Sequence, residues 1–240
     1  MKKYGLFIIA LTLVLSCNKG VKIDFSEQHI EASKATEVLI NIPKAKGTKD
    51  VANLINNTLQ NYIINQTNLT EDSLTKMSFE EALKLFDKEY LRFKEDVPDS
   101  NTTWEFLVDG EVTYRSPEII SIVITTYLDT GGAHGNTTVR FFNFNPETGK
   151  LLTKKELVGN LKGLSEVVKT NLVKELESNS EDGSMADFFF GEEFQLPETI
   201  GYSDEGLIIL YNPYEIASYA QGIIEFSIPY EEVSSFLNIY

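Results

Sequence analysis

The segment that most constrains this fold is Asp129-Thr130-Gly131-Gly132-Ala133-His134-Gly135-Asn136, set between two strand-like runs. Upstream, Ile119 to Leu128 is almost unbroken in apolar and β-branched residues. Downstream, Thr137 to Phe144 is rich in threonine and phenylalanine. Such runs read as neighbouring strands, the upstream one buried on both faces. Three glycines in five residues give the connection access to positive φ and let another chain approach closely. The segment therefore predicts a glycine-rich, hairpin-like connection between two sheet strands, and it carries one of only two histidines.

The remaining pattern divides between helices and strands. Glu37 to Pro43 reads as a strand closed by proline. Val51, Leu54, Ile55, Leu59, Tyr62 and Ile63 recur at helical spacing after a candidate N-cap at Thr48, with Asp50 in the first turn. Ser78 and Glu81 form a capping-box pattern ahead of the stripe Phe79, Ala82, Leu83, Phe86, Tyr90 and Phe93, which Val97-Pro98 stops. Asp109-Gly110 between Thr103–Val108 and Glu111–Tyr114 predicts a tight type I′ hairpin turn. Asn145 to Lys150 is a second turn, Leu164 to Leu176 a third helix, Ser178 to Asp187 an acidic loop, and Gly201 to Gly206 another turn. Strands over 207–211 and 223–228 and a short helix opened by Pro229 complete the chain. Partly segregated helices and strands predict an α+β class, a largely antiparallel sheet with packed helices in a single compact module. Within it, 35–130 forms an N-terminal part, and 131–240 a C-terminal part carrying the glycine-rich loop and the final strands.

The first segment predicts an address instead of a fold. Lys2-Lys3, the apolar run Tyr4 to Leu15 and the small residue Ser16 make a secretory signal too short to span a bilayer after processing. Its end, Val14-Leu15-Ser16-Cys17, resembles the lipobox of bacterial lipoproteins, with the leucine one place later than in the strictest pattern. The expectation is a signal peptide over 1–17, lipidation at Cys17, and a polar tether over 18–34. A membrane anchor at the periplasmic face of the outer membrane follows. Losing Lys2 and Lys3 takes the formal charge from −15 to −17. Such a surface repels nucleic-acid phosphates and suits solubility or a basic partner.

Chemistry is bounded by scarcity. The sole cysteine is the lipidation candidate, so an intramolecular disulfide or thiolate cluster is excluded. A zinc site built on histidine would need both His29 and His134, and His29 falls in the expected tether. The acidic pairs Glu181-Asp182 and Asp204-Glu205 lack the oxygen-ligand spacing of a calcium loop. Neither a P-loop, a dinucleotide fingerprint nor a Gly-x-Ser-x-Gly elbow is present. No metal and no cofactor are expected. What remains is a candidate binding surface at Asp129, Gly131, Gly132, His134 and Gly135, joined by Tyr211, Tyr214 and Tyr219 as aromatic anchors. The alternative is a cell-wall glycan hydrolase or deacetylase with His134 and Asp129 as its acid–base pair.

Gly131-Gly132-Ala133-His134-Gly135, Phe142-Asn143-Phe144 and the Gly149-Lys150 turn resemble a recurrent bacterial envelope domain. So does the block from Phe194 to Tyr230, with Leu210 to Ala217 and Phe226-Ser227-Ile228-Pro229-Tyr230. It is the domain shared by the extracytoplasmic part of RsiV-like anti-sigma factors and the N-terminal part of PdaC-like peptidoglycan deacetylases, and the resemblance spans roughly 35–238. In the first group the resemblance implies lysozyme sensing by direct binding. In the second, deacetylation belongs to a separate domain with an aspartate pair and a His-x-x-x-His motif, which this sequence lacks. The implied function is a lipid-anchored binding or sensing module, with lysozyme, another basic envelope protein or peptidoglycan as partner, and no enzymatic activity of its own.

Overall fold

The computed structural model describes residues 23–31, 35–70, 73–179, 185 and 188–240. The expected signal, Cys17 and most of the acidic loop lie outside them. Five strands form the first sheet in chain order: β1 (Ile23–Glu31), β2 (Glu37–Gly47), β3 (Glu105–Arg115), β4 (Ile120–Asp129) and β5 (Asn136–Phe144). The β2–β3 pair is parallel, because α1 (Lys49–Gln66) and α2 (Phe79–Asp96) make the crossover between them, and every other pair in this sheet is antiparallel. A second, antiparallel sheet contains β6 (Ile200–Tyr202), β7 (Gly206–Tyr211) and β8 (Ile224–Pro229). The short α3 (Lys154–Leu157) and the longer α4 (Leu161–Asn179) precede it, and α5 (Tyr230–Val233) follows.

Side-chain alternation sets the layers. One face of the first sheet (Ile40, Phe106, Ile122, Ile124, Phe142, Phe144) closes on Ile55, Leu59, Ile63 and Phe86 of the two crossover helices. Along β7, Leu207, Ile209 and Tyr211 join the core with Leu164, Val168 and Leu172 of α4. The intervening Ile208 and Leu210 meet Val139 and Phe141 of β5, with Val123 at the margin. The order is thus helices, sheet, sheet, helix. β7 is buried at all six positions and β4 at five of its ten, the other five being half-buried. The α2 capping box is present in both directions, Ser78 with Glu81. Thr48 caps α1 through its carbonyl, which accepts from Ala52 N–H at 2.9 Å, and its side chain plays no part.

Three expectations are corrected. The tether is shorter than 18–34, because Ile23–Glu31 is β1, paired along its length with β2. Only Ile23 is fully buried, with Phe25 and Ile30 half-buried and out of strict alternation, and the charged residues of an edge strand between them hid the strand in the sequence. Asp109-Gly110 makes no turn, and β3 runs straight through it with Gly110 opposite Ile124. A Cβ there would stand 2.6 Å from Ile124 Cδ1 and 3.0 Å from Pro43 Cδ, so this glycine answers to close packing between strands. Finally, β5 follows the glycine-rich loop yet belongs to the first sheet, so the change of core comes after residue 144 and not at 131. The 201–206 turn is also narrower, since Gly201 and Tyr202 are strand residues.

Candidate functional site

The β4–β5 ladder closes at Leu128 opposite Asn136, leaving Asp129 and Thr130 to Gly135 to make the connection. Asp129 Oδ1 accepts the Gly131 N–H at 2.8 Å, a local turn that Gly131 completes at φ +81°. His134 Nδ1 lies 2.9 Å from the carbonyl oxygen of Gly135. A carbonyl only accepts, so this contact requires the proton on Nδ1. The imidazole stacks on Tyr219, with ring centroids 3.7 Å apart and planes 20° from parallel. Tyr219 Oη donates to the same Gly135 carbonyl at 3.0 Å. Beneath them, a Cβ on Gly135 would fall 2.3 Å from Tyr127 Oη, so only glycine lets the tyrosine lie there. Partial burial, then the carboxylates of Asp129 and Glu105, hold the Tyr127 hydroxyl above its ordinary range.

The partner segment is pinned to the loop from the other side. Asn212 behaves as a strand surrogate: its Oδ1 accepts Val139 N–H at 2.7 Å, and its Nδ2 donates to Val139 O at 2.9 Å. That pairing covers part of the exposed edge of β5. Glu215 braces the turn, accepting Asn212 N–H at 3.0 Å and Glu198 N–H at 2.6 Å. Between them Tyr214 is forced to φ +67°, a strained conformation for a bulky residue, while its ring stays 58% exposed. The Tyr214 ring sits 5.8 Å from Tyr219.

The structure therefore brings together His134, Gly135, Tyr214 and Tyr219, with Asp129 and Gly131 at one side; Gly132 is exposed in the same loop. It removes Tyr211. That residue has no exposed surface, faces α4 with Leu207 and Ile209, and donates to Gln195 O at 2.8 Å. Burial pushes its phenol strongly upward. The alternation that puts Tyr211 in the core was readable once β7 was placed. Tyr127 and Asn212 were missed, because nothing in their spacing says that a β4 ring lies under a glycine or that an amide pairs with a strand 73 residues away.

No hydrogen bond joins Asp129 and His134 among the described residues, and Asp129 Oδ1 is engaged with Gly131 N–H. His29 is on the sheet edge, its Nδ1 2.6 Å from Asn41 Oδ1. Among the described residues no three His, Cys, Asp or Glu side chains converge as metal ligands, and no helix is long and apolar enough to cross a membrane.

Two family profiles match this chain. One, described as "Deacetylase PdaC", matches residues 30–137. The other, described as a protein of unknown function (DUF3298), matches residues 151–231. The peptidoglycan-N-acetylmuramic acid deacetylase PdaC of Bacillus subtilis (strain 168) is 28% identical over 150 residues, covering 60% of this chain and 31% of its own. The chain therefore spans about a third of that relative's length. Two crystal structures share the fold. A DUF3298 family protein of Pseudomonas aeruginosa PAO1 superposes with a TM-score of 0.62 at 17% identity, covering 91% of this chain and 97% of its own. A second, from Bacteroides fragilis NCTC 9343, gives 0.63 at 19% identity, with 92% and 96% covered.

Proposed function

Because the chain carries the domain shared by DUF3298 proteins and the PdaC deacetylase, we propose that it is a cell-wall-associated binding or sensing module of the bacterial envelope. It is anchored through a lipid at Cys17 and presents the His134–Tyr219–Tyr214 surface to its ligand. The observation that carries this reading is Tyr214. An aromatic ring held at positive φ costs stability, and its contact with Tyr219 at 5.8 Å still leaves it 58% exposed, which is the signature of a residue kept for contact. Tyrosine supplies rigid amphipathic contact area at low entropic cost. The ligand is a basic envelope protein such as lysozyme, steered by the acidic surface, or peptidoglycan itself.

Titrating the purified chain with lysozyme and, separately, with soluble peptidoglycan fragments tests the reading at low and moderate salt. Saturable binding of either, weakened in Tyr219→Leu, supports it. Absence of binding in all conditions removes it, and turnover of the glycan that His134→Ala abolishes would replace it with catalysis. Cys17→Ser should move the protein from the membrane fraction to the soluble one.

A further inference from the structure

A separate cleft of about 240 Å³ opens where β5, the turn into α3 and the segment entering β6 converge. It shares no residue with the aromatic surface. Leu152, Leu157 and Ile200 give it apolar walls, while Arg140, Asn143, Lys154 and Glu198 bring polar groups to it. Asn143 is 4% exposed. Its Nδ2 donates to Ile200 O at 2.8 Å, but its Oδ1 is buried without a hydrogen-bond partner among the described residues. An acceptor left so costs about 1–3 kcal/mol, which a bound donor recovers.

Lys154 is the complementary group. Half-buried, it gives one hydrogen bond, to the carbonyl of Pro197, and forms no ion pair among the described residues. An ammonium has three donors, so it retains capacity. Burial lowers its proton affinity, while the charges of Glu215 and Glu198 act in the opposite sense. Neither carboxylate is idle. Glu198 pairs with Arg140 at 2.5 Å, and Glu215 is occupied by two backbone N–H groups. The two cations and two carboxylates around the cleft cancel, so it has no net preference for an ion. What it lacks is one donor for Asn143 and one acceptor for Lys154, beside a small apolar wall.

We propose that this cleft binds a small uncharged secondary amide, with its N–H on Asn143 Oδ1, its carbonyl on Lys154 Nζ and its alkyl group against Leu152, Leu157 and Ile200. The volume is several times the roughly 30 Å³ that one water occupies in the liquid, which leaves room for a small amide. The chemistry occurs both in a peptide link and in an N-acylated sugar, and the two sources separate experimentally.

The test is amide chemical-shift titration of the isotope-labelled chain with N-acetyl-alanine methylamide, with N-acetylglucosamine, and with acetate as the anionic control. Saturable shifts confined to residues 140–143, 152–157 and 198–200, with Kd on the order of 1 mM, are expected for one amide and not for acetate. The amide that binds names the source. Asn143→Leu and Lys154→Met should each weaken binding about tenfold or more. Because Asn143 also ties β5 to β6, Lys154→Met, at a half-exposed position, decides the matter if the first variant fails to fold. Saturation by acetate alone, no saturation by either amide, or binding unchanged in Lys154→Met overturns the proposal.

Discussion

Two clusters of aromatic rings in this molecule obey different physics. Under α2, Phe86, Tyr90 and Phe93 surround Trp104 at centroid separations of 5.4, 5.6 and 5.5 Å, tilted as the ring quadrupoles prefer. Phe86, Tyr90 and Phe93 stand on ordinary helix, Trp104 immediately precedes β3, and Phe86 and Trp104 are buried. At the β4–β5 connection, Tyr219 has His134 at 3.7 Å and Tyr214 at 5.8 Å, yet Tyr214 is largely exposed on a left-handed backbone. The first cluster is held by the water it excludes. The second is held by hydrogen bonds converging on one carbonyl, that of Gly135, and on the Asn212–Val139 pairing. Aromatic proximity alone does not separate a core from a contact surface; the backbone cost does.

Substitutions should split along that line. The largest effect belongs to the core cluster, where Phe86→Ala removes a 1% exposed ring from between Trp104 and Phe106. A loss of about 3–5 kcal/mol is expected by chemical denaturation. A loss below about 1 kcal/mol would mean that the two clusters do not differ as described. Next comes Gly135→Ala, whose methyl collides with the Tyr127 ring. Moving that half-exposed ring should cost about 1–3 kcal/mol and alter the ring-current shifts of His134.

The smallest effect lies outside both clusters. Glu156 caps α3 and accepts from the Lys150 ammonium and from Thr153 N–H and Oγ–H, which lowers its pKa to about 2. A depressed carboxylate stabilises the fold above its unfolded pKa near 4.5 and stops doing so as pH falls toward 2. Glu156→Gln should therefore lower stability slightly at pH 7, and the difference from wild type should shrink away as pH falls from about 4.5 toward 2, which flattens the acid limb of the stability curve. A loss as large at pH 2 as at pH 7 would contradict the assignment.

Much of this was legible in the sequence. The α2 stripe with its capping box and the strand run of β4 follow from local pattern, whereas the placing of the glycine-rich loop beside the Tyr211–Tyr219 segment rested on no local signal. The errors share a cause, which is partners distant in sequence. Asp109-Gly110 has every local mark of a turn, and only Ile124 and Pro43 across the sheet explain its glycine. The charges of β1 look like a tether until β2 pairs with it. Tyr211 and Tyr214 are three residues apart and equally aromatic, yet Tyr211 ends β7 facing α4 while Tyr214, in the turn beyond the strand, faces solvent. Asn143 entered only within the Phe142-Asn143-Phe144 motif, and nothing linked it to Lys154 and Glu198, because no motif joins residues that meet only when two sheets pack.

The central claim, that the His134–Tyr219–Tyr214 surface is kept for contact at a cost in stability, has a direct test in Tyr214→Asn. Asparagine tolerates the left-handed backbone, and little buried area is lost at a position 58% exposed. Thermal melts and titrations with lysozyme and peptidoglycan fragments on the same two samples give both sides of the trade. A melting temperature that holds or rises, by up to about 1 kcal/mol in stability, with ligand binding about tenfold weaker is the result this account predicts. A destabilised variant that binds as tightly as wild type would contradict it.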